Sequence, residues 1–340
     1  MSPRTAQRLR SAAPVVVLFV LVSIIWDFVS SLVLPEIGGA EPVLAASIGV
    51  LLALPLILLE SSAFAERFRR LSFPAAVLLK TVTYVGALAL IFLGVGFLIG
   101  WTQGLNMQDF RDSLPMNVAA MGTSFLLYLV VIFLSQLNSL LGPGVLLRFV
   151  TGRYHHPRRE RRIFMFVDIE DSTELSKNLS LEHYYGLVND FFRDVAGPVL
   201  DSRGEIYEYV GDEVVISWKY EAGVRDANCV RAFFEIEKAV WKRSGQYLNR
   251  YGAVPAFKAG LHEGEVITAE MGGSKKVIAF NGEVLNVTAR IQGQCNRLQR
   301  RLLASQQLVD QLQVPGNVTP QTMGLIELRG AGAAEIVALA

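Results

Sequence analysis

Asp168 and Asp212 each follow a stretch that reads as a buried β-strand, the first closing Arg162–Val167 and the second following Ile206–Gly211. Two carboxylates at adjacent strand ends, with Gly211 allowing close backbone approach, can hold a pair of divalent cations around a triphosphate. Asn286 and Arg290 lie further on, at i and i+4 of an expected helix and hence on one face of it. Cation-binding acids and a positioned guanidinium are the parts that phosphoryl-group chemistry requires. Gly211-Asp212 alone would fit a plain turn equally well. A second acid at an equivalent strand end, Asp168, is what favours chemistry.

The elements that must position these residues follow from patterning. Leu181–Leu200 places Tyr184, Leu187, Val188, Phe191, Phe192, Val195 and Val199 at spacings of three and four, which predicts an amphipathic helix. Glu205–Val210 and Glu213–Trp218 read as a strand pair, and Asp226–Arg243 as a second amphipathic helix. Phe257–Gly264 and Glu265–Met271 are expected to form a hairpin, with His262 a hydrogen-bonding residue at its turn rather than a base. Val284–Leu303 is expected to be one helix carrying Asn286, Arg290 and Arg297. Leu325–Leu328 and Glu335–Leu339 read as a closing hairpin around Arg329-Gly330-Ala331-Gly332.

Composition divides the chain. Residues 1 to about 145 are mostly apolar with few charges, and the rest has the make-up of a soluble α/β domain. A formal charge of +1 gives no overall electrostatic case for a nucleic-acid partner. The two cysteines, Cys229 and Cys295, lie far from any CxxC spacing and read as reduced thiols. His155 and His156, on a basic linker without acids or cysteines at ligand spacing, read as solvated.

Four apolar stretches, Val15–Leu34, Val43–Leu59, Thr81–Gly100 and Val118–Leu141, approach the roughly 20 residues that a helix needs to cross a bilayer. Basic residues precede the first (Arg4, Arg8, Arg10), separate the second from the third (Arg67, Arg69, Arg70, Lys80) and follow the fourth (Arg148, Arg153, Arg158, Arg159, Arg161, Arg162). All fall on one side, which predicts a multi-pass inner-membrane protein with both termini and the soluble domain cytoplasmic. Asp27 is an acid well inside the first stretch; it fits either ligand or ion sensing by the membrane domain or helix packing alone. Gly96 and Gly100 would let two helices approach. Gly142-Pro143-Gly144 breaks the last span, and the arginines from Arg158 to Arg162 would face anionic headgroups or fix topology. The expected organisation is a four-helix transmembrane domain over 1–141, a linker over 142–160 and a catalytic domain over 161–340. Membrane lipid, and an unknown ligand at the membrane domain, are the partners this implies.

Phe166-Val167-Asp168-Ile169-Glu170-Asp171-Ser172-Thr173, Gly211-Asp212-Glu213, Gly260-Leu261-His262-Glu263-Gly264 and Asn286-Val287-Thr288-Ala289-Arg290 resemble the class III nucleotidyl cyclase catalytic domain. They stand in that family's order and spacing over about residues 160–340. The resemblance implies an α+β domain with a ferredoxin-like βαββαβ core. It also implies two Mg²⁺ or Mn²⁺ ions per active site, held by Asp168 and Asp212 with the Ile169 carbonyl. Backbone amides of Glu170, Asp171, Ser172 and Thr173 would face phosphate oxygens, Asn286 would orient the ribose, and Arg290 would neutralise charge growing on the α-phosphate. Arg329 falls near a family lysine that contacts the triphosphate. Because the family draws its metal acids and its Asn/Arg pair from different subunits, a homodimer is implied. Two positions depart from the adenine-selecting pattern: Glu208 stands where a lysine is usual, and Ala279 where Asp or Thr is common. Glu208 resembles guanylate cyclases, whereas bacterial members of the family mostly resemble adenylate cyclases. The expectation is conversion of ATP to 3′,5′-cyclic AMP and pyrophosphate, with GTP as the alternative substrate and a silent nucleotide-binding receptor as the alternative function.

Overall fold

The structure, a computed structural model, describes residues 73–103, 145–274 and 276–340, with isolated positions between 17 and 53 and between 122 and 137. The chain divides into two compact units, Met1–Leu140 and Leu141–Ala340.

In the first unit the stretch expected as the third span lies inside a helix, α1 (Phe73–Gln103), in which Lys80 is the single charged residue. The side chains of 95–103 and of several earlier positions fall outside the described set. On the described residues alone, no helix is long and apolar enough to cross a membrane. The four-helix membrane domain expected from the sequence is therefore unsupported here. Most of the first, second and fourth expected spans, with Asp27 and the Gly142–Gly144 break, lie outside the described residues.

The second unit opens with a short helix, α2 (Val145–Val150), and continues into β1 (Arg158–Ile169). From Ile163 to Val167, β1 is apolar on both faces because both are covered there. Ile163, Met165 and Val167 join Leu187, Phe191 and Val195 in the main core, while Phe164 and Phe166 pack with Val215, Val266 and Val284 on the other side. After α3 (Ser172–Asn178), the long helix α4 (Leu181–Asp201) starts where Ser180 accepts a hydrogen bond from the His183 amide, a cap that satisfies one orphan donor. β2 (Glu205–Val210), β3 (Glu213–Lys219), α5 (Asn228–Lys242) and β4 (Phe257–Met271) follow. Strand order β2-β3-β1-β4, antiparallel throughout, with α4 and α5 in the two crossovers, is a βαββαβ core. β6 (Leu302–Ser305) joins β4 in parallel, and β7 (Pro320–Glu327) and β8 (Ala333–Leu339) complete a mixed sheet.

Two expected elements are corrected. Phe257–Met271 is one strand of 15 residues, not a hairpin; its last residues, Ile267–Met271, pair with the following strand β5 (Val277–Asn281). His262 therefore sits mid-strand, where its Nδ1 and Ser305 Oγ share a 2.8 Å hydrogen bond. The glycines that suggested a turn serve packing instead. A Cβ on Gly260 would come within 2.4 Å of the Gln292 amide nitrogen, and one on Gly264 within 3.0 Å of Val284. They let helix α6 (Glu283–Gly293) lie directly on β4. Nor does the helix run to Leu303. It ends at Gly293, a short turn of helix covers Cys295–Leu298, Gln299 turns left-handed at φ 51°, and the chain enters β6.

Candidate active site

Register places the two acids together. Asp168, next to last in β1, pairs with Glu213 of β3, and Asp212 precedes Glu213 in the β2–β3 turn, where Gly211 takes φ 64°. Burial first, and then the charge of Asp212, push the Asp168 carboxyl above its ordinary value, with Lys258 pulling the other way. Glu213 is pushed up to about 7 by burial and by the charges of Asp168 and Asp212. Tyr184 of α4 is held protonated above its usual range by burial and then by Asp212. Negative charge accumulates at these strand ends beyond what nearby cations offset.

Three residues that the patterning did not single out organise this centre. Lys258 Nζ lies 3.4 Å from Asp168 Oδ2 and donates to Asn296 Oδ1 at 3.2 Å. Gln292 Nε2 donates to the same Asp168 oxygen at 3.1 Å. The only sequence signal for Lys258 is its register opposite Asp168 across β1–β4, which cannot be read until that pairing is known. A cleft of about 730 Å³ opens beside Asp168 and Ile169, bounded by α3 and by Lys258 and Asn296.

The segment 170–173 is only partly available to a ligand. The Glu170 amide donates to the Ala256 carbonyl at 2.9 Å, so the expectation that it faces phosphate is corrected. Asp171 takes a left-handed conformation at φ 53° and starts α3. That leaves the amides of Asp171, Ser172 and Thr173 at the head of α3, outside the helical ladder and on the wall of the cleft.

Asn286 and Arg290 point elsewhere. Both are exposed, whereas Gln292, two residues past Arg290 and so on the opposite side of α6, is buried against Asp168. Glu208 is exposed beside a bulge in β2, and Ala279 is half-buried on β5 opposite Ala269. The two segments meet through their neighbours: the Phe280 amide donates to the Tyr207 hydroxyl at 3.4 Å, and the rings lie 4.7 Å apart. Arg329 is exposed at the β7–β8 turn, which Gly330 and Gly332 close with positive φ.

Residues 155–340 match the sequence pattern of the adenylate and guanylate cyclase catalytic domain. The chain belongs to the class III nucleotidyl cyclase family. It is a nucleotidyl cyclase, similar to adenylate cyclase 2 of Rhizobium meliloti (strain 1021), with 33% identity over 309 residues, 86% of this chain and 82% of that protein. Adenylate cyclase 1 of the same strain is 25% identical over 182 residues, 52% of this chain but only 26% of that larger protein. Among solved structures, a bacterial light-regulated adenylyl cyclase shares the fold with a TM-score of 0.55 at 21% identity, covering 64% of this chain and 63% of that one. The cyclase motifs thus map onto two clusters in the chain, the acids at the β1 and β2–β3 ends and the exposed Asn/Arg pair on α6.

Proposed function

We propose that the chain is a homodimeric adenylate cyclase, converting ATP to 3′,5′-cyclic AMP and pyrophosphate at sites shared between two subunits. The observation that carries the shared site is the orientation of α6. Gln292 takes the side that faces Asp168, so Asn286 and Arg290 are presented outward, where a second protomer can offer its own acids. The 33% identity to adenylate cyclase 2 supports ATP as substrate. Glu208 favours a second reading, GTP, because a carboxylate can accept from the guanine N1 and N2 hydrogens.

Asp168 and Asp212 fit divalent cations. Burial, and then the mutual charge of these acids, lift Asp168 and Glu213, and that charge is the kind that a cation relieves. All-oxygen donors suit Mg²⁺ or Mn²⁺. Among the described residues no three acid, His or Cys side chains converge on one point; the Ile169 carbonyl and nucleotide phosphates would complete the coordination. When bound, the cations supply acidity to the ribose 3′-hydroxyl and charge balance for the triphosphate. The Ser172 and Thr173 amides bind phosphate oxygen at the head of α3. Asn286 from the partner orients the ribose, and Arg290 from the partner meets charge that grows on the α-phosphate, an interaction stronger in the transition state than before it. Arg329 extends the binding of the triphosphate.

The N-terminal half is read as a membrane anchor, with the catalytic domain on the cytoplasmic side of the inner membrane. Its support is the four apolar runs of the sequence and the character of α1, whose apolar residues surround the helix axis. Leu78, Leu90 and Leu93 of α1 stand 66%, 72% and 67% exposed, as lipid-facing residues would. Asp27 makes ligand sensing by this half part of the proposal. Membranes containing the protein, supplied with Mg²⁺ or Mn²⁺ and either ATP or GTP, should yield cyclic AMP from ATP. Cyclic GTP as the sole product would transfer the assignment to GTP, and no cyclic product from either would refute turnover.

A further inference from the structure

The strand pair that ends in Asp168 and Glu213 begins, at its other end, with Arg162 opposite Lys219, roughly 20 Å away along the strands. A pocket of about 520 Å³ opens there, and five cations line it: Arg153, Arg161, Arg203, Lys219 and Arg225. They arrive from four separate segments: the turn after α2, β1, the α4–β2 turn, and the end of β3 with the stretch that follows it. Arg161 is fixed by two 2.7 Å hydrogen bonds to Glu263 and lies 3.8 Å over the Tyr220 ring. The other four have no carboxylate within ion-pair distance among the described residues. Arg203 also holds a left-handed backbone conformation, φ 61°, that glycine would adopt more readily.

Two acids share the lining, Glu160 and Glu221. Glu160 is already engaged by Arg162, Tyr154 and Thr268, which leaves Glu221 facing the cations. Like charges converge in a hollow at an electrostatic cost that an anion removes. Guanidinium forks match phosphate oxygens in pairs. The structure also redirects the headgroup expectation from the sequence. Of the arginines expected at headgroups, Arg159, Arg161 and Arg162 pair with Glu265, Glu263 and Glu160; of that set only Arg161 lines the pocket, beside Arg153, Arg203, Lys219 and Arg225.

We propose that this pocket binds a phosphoryl anion, carried by a lipid headgroup or free in solution, at a site separate from the catalytic cleft. The test is calorimetric titration of the full chain in neutral detergent with inorganic phosphate, dioctanoyl phosphatidic acid and, as control, dioctanoyl phosphatidylcholine. Saturable binding of phosphate or phosphatidic acid is expected, weakened roughly tenfold or more in the Arg203→Ser/Arg225→Ser variant. Melting temperature and basal cyclase rate check that the variant folds, and Lys219→Ser serves if it does not. Binding of both probes in competition identifies free phosphate as sufficient; binding of phosphatidic acid alone identifies a lipid headgroup. Equal binding of phosphatidylcholine, no saturable binding, or affinity unchanged by these substitutions overturns the proposal, the last assigning the anion to the catalytic cleft.

Discussion

Asp168 and Arg290 are carried by elements packed on the same β4 strand, yet they meet opposite surroundings. Asp168 is drawn inward, touched by Lys258 and Gln292 and crowded by Asp212. Arg290, with Asn286, stands in solvent on the far side of α6. The contact between Gln292 and Asp168 fixes the rotation of the helix, and that rotation denies Arg290 a place beside the acids of its own chain. On the proposed dimeric reading, each chain contributes two half-sites. Dimer symmetry is the cheapest way to make whole sites from them.

The contrast can be broken from either side. Asp212→Ala should abolish cyclase activity while leaving the fold intact, because one of the two acids proposed to hold the cations is lost; retained activity with unchanged metal dependence would remove the acid half-site. Arg290→Ala should lower kcat by roughly a hundredfold to a thousandfold with little change in KM, as expected for a group that acts mainly in the transition state. An equal rise in KM would mean that it only binds substrate. Glu208→Lys should raise the ratio of ATP to GTP turnover about tenfold if this side chain reads the base; an unchanged ratio places base selection elsewhere.

A smaller effect concerns the frame that carries the acids. Burial alone would raise Glu263, but hydrogen bonds from Arg161 and Gln307 overcome it and hold its carboxyl below the usual value. Glu160 is likewise held low against its burial, by Arg162 and Tyr154. A depressed carboxylate contributes stability that is complete above its unfolded pKa and is lost as pH falls through the folded one. Melting temperature should thus fall on the acid side of the ordinary glutamate range. Glu263→Ala should cost about 2–3 kcal/mol at neutral pH, read by denaturant unfolding, and should flatten that acid dependence.

Much of this arrangement is legible in the sequence, and the losses have physical causes. β1 and α4 are visible because their apolar spacing answers directly to the faces they bury. The acids are visible because their positions at strand ends follow from where the apolar runs stop. Gly260 and Gly264 mislead because a packing glycine and a turn glycine look alike until the helix lying on them is seen. Leu302–Ser305 misleads because a short, mostly apolar run after a helix carries no period of its own. Lys258, Gln292 and Asn296 are invisible for another reason: their relation to Asp168 exists only through β1–β4 register and the rotation of α6.

Mixing Asp212→Ala and Arg290→Ala chains bearing different tags, and assaying purified heterodimers, tests the shared site most directly. Each mutant alone is inactive or nearly so, but the heterodimer assembles one site with both defects and one with neither. The account predicts recovery of about half the wild-type rate per dimer. Heterodimers no more active than their parents would mean that the acids and the guanidinium serve the same protomer, and the account would be wrong.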